Sequence, residues 1–248
     1  LKEMRSKHMI ARAPQVVSND FEDQYLAVRQ RERRIYSDEQ LLHLPEIDPT
    51  HIHAEEWKIR KRSAIRLIDY LQKKHRSLRI LEVGCGNGWL SAKMAGIAGS
   101  DVTGLDINQT EITQANRVFT ANNLEFIYDL FNEDTFEDEQ FDVIVFAASL
   151  QYFESAKKTI ELALSLLQEG GEIHIIDTHF YRPEELPKAN ERSRSYYNAM
   201  GFPEMADHYF HHSMNDLAGL KHHIMLNPDS MLSLLAKRGP FHWISVNQ

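Results

Sequence analysis

Three glycines spaced two apart, Gly84-Cys85-Gly86-Asn87-Gly88, follow the apolar run Arg79-Ile80-Leu81-Glu82-Val83 and precede a helical pattern that opens at Trp89. Such a loop lets backbone approach a ligand closely, and the helix after it offers free N–H groups and a positive dipole end to an anion, either a phosphate or an amino-acid carboxylate. A dinucleotide fingerprint needs glycine or alanine three places after the second glycine. That place holds Trp89, which argues against a nicotinamide cofactor and an oxidoreductase. Asp106 ends the next β-rich run, Asp101-Val102-Thr103-Gly104-Leu105, about 20 residues beyond the loop, where a carboxylate accepts both hydroxyls of a ribose. Taken alone, Asp106 is equally suited to capping the helix that opens at Asn108-Gln109-Thr110-Glu111.

These residues need a frame that brings strand ends together. Short β-rich runs at 79–83, 101–105, 124–128, 141–147 and 171–176 alternate with helical patterns, with acidic loop material at 132–140 before the fourth. Strands alternating with helices imply a largely parallel sheet covered on both faces, an α/β doubly wound fold whose ligands bind beyond the carboxyl ends of the strands. Before it, 21–44 is polar and helix-prone, and 53–75 carries Trp57, Ile65, Ile68 and Leu71 at helical spacing. After it, Pro183, Pro187 and Pro203 interrupt the pattern, and aromatics and histidines gather, His222 and His223 among them, which reads as an inserted cap. A helical stretch from Pro228 to Lys237 and an alternating run, Phe241 to Val246, close the chain.

From Glu55 to Asp177 the sequence resembles the class I S-adenosylmethionine-dependent methyltransferase family. The likeness rests on Ile80-Leu81-Glu82-Val83-Gly84-Cys85-Gly86-Asn87-Gly88 with Asp106 and Asp129 ending the next two strands. It implies a mostly parallel seven-stranded sheet, with an N-terminal arm or lid over 1–54 and a Rossmann-like domain over 55–248 that carries its cap at about 178–227. It implies S-adenosyl-L-methionine as cofactor, with Gly84, Cys85, Gly86, Asn87 and Gly88 along the methionine part and Glu82 near its ammonium. Asp106 would take the ribose, Ile107 would pack on the adenine, and Asp129 and the backbone of Leu130 would meet the adenine edge. Tyr128 departs from the small residue common before that acid. Ala147 and Ser149, with Gln151 and Tyr152, would stand at the boundary between cofactor and acceptor.

A sulfonium methyl is already activated, so alignment and exclusion of water are the main tasks, and only a hydroxyl acceptor needs a base. The candidates for that role are His179, His208, His211 and Tyr152; the spacing of the histidines matches no metal motif, and no metal is expected. An Asn/Asp-Pro-Pro-aromatic signature is absent after the fourth strand, where Ala147-Ala148-Ser149-Leu150 stands, and the single cysteine, Cys85, sits in the glycine loop as a small filler. The resulting expectation is transfer to an oxygen or nitrogen of a small molecule. A protein or RNA acceptor, or a non-catalytic module that keeps the cofactor fold, is the alternative.

A formal net charge of −8 argues against a nucleic-acid partner, because such affinity comes largely from lysine and arginine displacing counterions. The basic run Lys58-Ile59-Arg60-Lys61-Arg62 spreads around a helix and reads as a solvated face. No apolar run approaches the ~20 residues that span a bilayer, and Leu1-Lys2-Glu3-Met4-Arg5 lacks the apolar stretch of a signal peptide. The expected location is cytoplasmic.

Overall fold

The computed structural model describes residues 19–136, 139–231, 233 and 239–248. The first eighteen residues of the expected arm, and half of the helical stretch expected over 228–237, lie outside them. Helices α1 (Asn19–Arg31), α2 (Asp38–His43) and α3 (Ala54–Gln72) precede the sheet. Then come β1 (Leu78–Val83), α4 (Trp89–Ala95), β2 (Ser100–Asp106), α5 (Gln109–Val118), β3 (Leu124–Tyr128), β4 (Phe141–Ala147), α6 (Ala156–Ser165) and β5 (Leu167–Thr178). The two-residue strands β6 (Phe180–Tyr181) and β7 (His212–Ser213) pair with each other and bracket α7 (Leu186–Met200). The chain ends with β8 (His222–Leu226) and β9 (His242–Asn247).

The main sheet has seven strands in the order β3-β2-β1-β4-β5-β9-β8. Its first five strands are parallel and β9 runs against both its neighbours. Chain order reverses between β1 and β4, where the loops after the two strands part and leave a crevice at their carboxyl ends. The seventh strand corrects one expectation. His222 and His223 belong to β8 in this sheet, not with the cap histidines.

Alternation along the strands divides the core into two layers. Leu81, Ile144, Phe146, Ile173 and Ile175 face one way, against Ile160 and Ala163 of α6. Ile80, Val143 and Val145 face the other, against Leu67 and Leu71 of α3 and Leu90 and Met94 of α4. The buried stripe of α3 is Trp57, Ala64, Leu67 and Leu71, while the expected Ile65 is exposed. The helix is turned slightly from the face its β-branched residues suggest, because Ala64 fits closer to the sheet than Ile65 could. A polar staple ties the far edge: Trp243 Nε1 donates to His174 Nδ1 at 3.0 Å, and His174 Nε2 lies 2.9 Å from Glu172. Burial pushes the Glu172 carboxyl up, but His174 and Lys74 outweigh it and hold it at about 2.

Phe146 has no exposed surface and meets Phe131 and Phe153 edge-on. Phe146→Ala should lower stability by about 3–5 kcal/mol, read from urea unfolding with an unchanged slope.

Candidate functional site

A cavity of about 360 Å³ opens at the crevice beyond β1 and β4, its walls formed by the glycine loop and the ends of β2, β3 and β4. Val83 leaves the sheet and Gly84 turns at a φ of +73°, so close to the β4 end that a Cβ there would lie 2.4 Å from Ser149 Cβ. Ser149 Oγ donates to the Val83 carbonyl at 2.6 Å and fastens the two loops together. Glu82, Gly84, Cys85, Gly86 and Asn87 line the cavity; Gly88 does not, and instead opens α4 as its N-cap in the left-handed region. Trp89 is buried and meets Trp57 edge-on at 5.3 Å. Trp57 Nε1 in turn donates to Tyr36 Oη at 2.7 Å, so this tryptophan anchors the arm while its ring walls the cavity.

Three of the carboxyls that line the cavity, Glu82, Asp106 and Glu111, lie closest around the glycine loop. Glu82 is 2% exposed and accepts from Ser91 Oγ at 2.5 Å; burial pushes its pKa up to about 8. Asp106 Oδ2 accepts the Gly86 N–H at 2.7 Å and Oδ1 accepts the Asn108 N–H at 2.8 Å. A carboxylate oxygen has two lone-pair sites, so each keeps one for a further donor such as one hydroxyl of a diol. The helix-capping role belongs to Asn108, whose Oδ1 accepts from the Glu111 N–H at 2.9 Å. Glu111 faces the glycine loop, and burial raises both Asp106 and Glu111, the Asp106 charge adding to the rise at Glu111. Ile107, Asp129, Leu130, Ala147 and Ser149 also line it, and Asp129 Oδ1 accepts its neighbour's N–H from Leu130 at 2.7 Å. Cys85 is buried against Gly104, and burial raises its thiol well above the usual range, which suits a packing residue rather than a nucleophile.

A second cavity of about 570 Å³ adjoins the first and shares Arg29, Arg34, Arg60, Ala148, Tyr152 and Asp177 with it. Of the candidate bases, His179, His211 and Tyr152 line it, whereas His208 packs edge-on against Phe21 at 4.8 Å, outside both cavities. His211 is held between Asn190 Oδ1 at 2.9 Å and Ser193 Oγ at 3.1 Å, and burial with the nearby Arg192 lowers it to about 4. Burial lowers His179 too.

A family model described as a methyltransferase domain matches residues 74–236. The chain belongs to that family. Among curated proteins it is 30% identical over 104 residues to the ubiquinone biosynthesis O-methyltransferase of Glaesserella parasuis serovar 5, a match covering 39% of this chain and 44% of that protein. It is 30% identical over 102 residues to the demethylmenaquinone methyltransferase of Chlorobaculum tepidum, covering 41% of each. It is also 33% identical over 116 residues to the ribosomal RNA small subunit methyltransferase C of Erwinia tasmaniensis, covering 44% of this chain and 33% of that one. These matches span less than half the length of each curated relative. Among solved structures, the plantazolicin methyltransferase BpumL with a pentazolic analogue and SAH aligns with a TM-score of 0.55 at 17% identity, over 94% of this chain and all of that one. Magnesium protoporphyrin IX methyltransferase from Synechocystis PCC 6803 aligns with a TM-score of 0.56 at 14% identity, over 93% and 95%. Both share the fold.

On this methyltransferase domain several cavity residues escape a reading of strand ends. Arg29 and Tyr25 come from α1, which lies across the mouth: Arg29 stands over the Tyr25 ring at 4.8 Å, and its Nη2 reaches Tyr152 Oη at 3.5 Å. Arg60, within the basic run of α3, turns toward both cavities and pairs with Glu56 at 3.0 Å. Asp177, 8% exposed, sits just inside the end of β5 at a φ of +55°, and Ser63 Oγ donates to its Oδ1 at 2.6 Å. An unusual backbone conformation in a non-glycine cavity residue was the one local signal of a functional position, and it is visible only in the structure.

A methyl group at position 84 must displace Ser149 and adopt a positive φ. Gly84→Ala should cost about 1–3 kcal/mol in urea unfolding, while Gly170→Ala, also at positive φ but with open space around it, should cost only the backbone part of that.

Proposed function

We propose that this protein transfers the methyl group of S-adenosylmethionine to an oxygen or nitrogen of a small-molecule acceptor. The observation that carries this reading is the continuity of the two cavities: a donor site at the crevice opens into a second space large enough for an acceptor. Binding sites for small molecules occupy about 300–1,000 Å³, and each cavity falls in that range. The residues of the first fit the donor. Asp106 offers two vacant acceptor positions for the ribose diol, Gly84 and Gly86 bring backbone to the methionine part, and Glu82 offers a carboxyl to its ammonium. The matched methyltransferases of quinone biosynthesis, and the natural-product enzyme that shares the fold, act on small molecules by name, which supports the same class here.

When bound, S-adenosylmethionine supplies a methyl activated by positive sulfur, which keeps the electron pair of the breaking bond as the acceptor's oxygen or nitrogen bonds to carbon. Arm helix α1 and the cap cover the two cavities, so that Tyr25, Tyr152 and Tyr209 keep water from the junction; their rings meet edge-on at 5.8 and 5.7 Å. Asp177 is the side chain placed to take the proton from a hydroxyl acceptor. It lines both cavities, Ser63 fixes one oxygen, and burial raises its carboxyl against the pull of Arg60, which strengthens it as a base. His211, lowered to about 4, is the weaker base of the two.

Calorimetry tests the donor site. S-adenosylmethionine should bind at micromolar to sub-millimolar concentration, and Asp106→Ala should weaken it about 100-fold, the value of two hydrogen bonds to a charged group. Absence of binding by wild-type protein freed of copurified ligand would sink the reading.

A second prediction concerns protons. Glu82 carries its proton below about pH 8 in the ligand-free protein, so pairing with an ammonium at pH 7 requires it to ionise. Binding at pH 7 should therefore release protons, seen as a dependence of the measured heat on buffer ionisation enthalpy. Glu82→Gln should reduce that release.

A further inference from the structure

The protein carries a net charge of −8, yet the second cavity is lined by four arginines, Arg29, Arg34, Arg60 and Arg192, against three carboxyls, Glu32, Glu56 and Asp177. The two glutamates are already engaged. Glu56 accepts from both terminal nitrogens of Arg34, at 2.7 and 2.5 Å, and from Arg60 Nε at 3.0 Å. Glu32 lies 3.0 Å from Arg34 Nε and 3.4 Å from Arg29, and its other oxygen accepts from Tyr196 Oη at 2.5 Å. Asp177 Oδ1 is already engaged by Ser63, and Asp177 faces Arg60 across the cavity wall. His179 and His211 are shifted down by burial, so at neutral pH they add hydrogen-bonding groups and no charge. The cavity is therefore cationic within an acidic molecule.

Arg192 is the arginine left over. It comes from α7 in the cap, makes no ion pair among the described residues, and rests against the Tyr181 ring at 5.8 Å. A guanidinium so placed presents a planar fork that matches a carboxylate. Around it the walls are rings, Tyr181, Tyr209, Phe210 and Phe241, which favour a flat aromatic body by edge and face contact. The junction with the donor site is marked by Tyr152 and Asp177, which line both cavities, whereas Arg192 lines only the second of the two.

We propose that the acceptor is an aromatic carboxylic acid, held with its carboxylate on Arg192 and its hydroxyl or amino nucleophile at the Asp177 end; this rests on the donor reading above. A neutral acceptor makes no use of the Arg192 fork, which is exposed and otherwise solvated, and a cationic one meets the arginine excess directly. The carboxylate selects the molecule and the junction selects the atom that is methylated.

The test is equilibrium binding to protein loaded with S-adenosylhomocysteine. The probes are hydroxylated benzoic, phenylacetic and cinnamic acids, each compared with its own primary amide at low and at physiological salt. At least one acid should bind 10-fold or more tightly than its amide, and Arg192→Gln should abolish that preference while leaving S-adenosylhomocysteine affinity unchanged. Equal binding of acids and amides, a preference that survives Arg192→Gln, or no acid binding up to millimolar concentration with S-adenosylhomocysteine bound would each overturn the proposal. Failure of S-adenosylhomocysteine itself to bind would overturn the donor reading and this proposal with it.

Discussion

At the end of β1 the chain has to leave a parallel sheet between two neighbours whose own loops go opposite ways. Gly84 makes that exit with no Cβ, since one would lie 2.4 Å from Ser149 Cβ, and Ser149 returns a hydrogen bond to Val83. Because this contact is backbone against side chain in a close-packed interior, it leaves little freedom in how far the β1 and β4 loops part. The rest of the site follows from that separation. Gly86 N–H is brought to Asp106, Asp106 to Asn108, and Asn108 caps α5. One steric constraint thus propagates through three hydrogen bonds into the position of a carboxylate.

Electrostatics divides the two cavities. Glu82, Asp106 and Glu111 weight the first with carboxyls, and burial raises all three because the charged form loses its water there. A ligand that brings positive charge relieves that cost. The second cavity has the opposite balance, with arginines in excess of carboxyls. The two cavities thus present fields of different sign to whatever enters them.

The arm and the cap close over this arrangement by holding each other. Val28 packs with Tyr197 and Met205, Arg31 donates to the Met200 carbonyl, and Tyr196 donates to Glu32, so α1 and α7 form one roof. The arm is also fastened to the Rossmann-like core, where Arg117 pairs with Asp38 and Trp57 donates to Tyr36. A roof with contacts on both sides keeps water out without needing a large apolar core of its own.

The glycine loop, Asp106 and Asp129 were legible in the sequence because strand ends recur at intervals set by strand–helix–strand geometry, and short-range spacing therefore carries the information. So were the five parallel strands. The place of the seventh strand was hidden because β8 is an edge strand with three of its five residues exposed, and His222-His223-Ile224-Met225-Leu226 shows no clear alternation. Arg29, Arg60, Arg192 and Asp177 were hidden for a different reason: on charged helices, or after a strand, such residues look like solvated faces and turns until packing sets their direction. The sequence by itself determined the fold and the loop and strand-end residues that line the first cavity, since both depend on local periodicity. Only the tertiary structure decided which charges meet in the second cavity, because residues 29, 60, 177 and 192 become neighbours through packing across the whole chain.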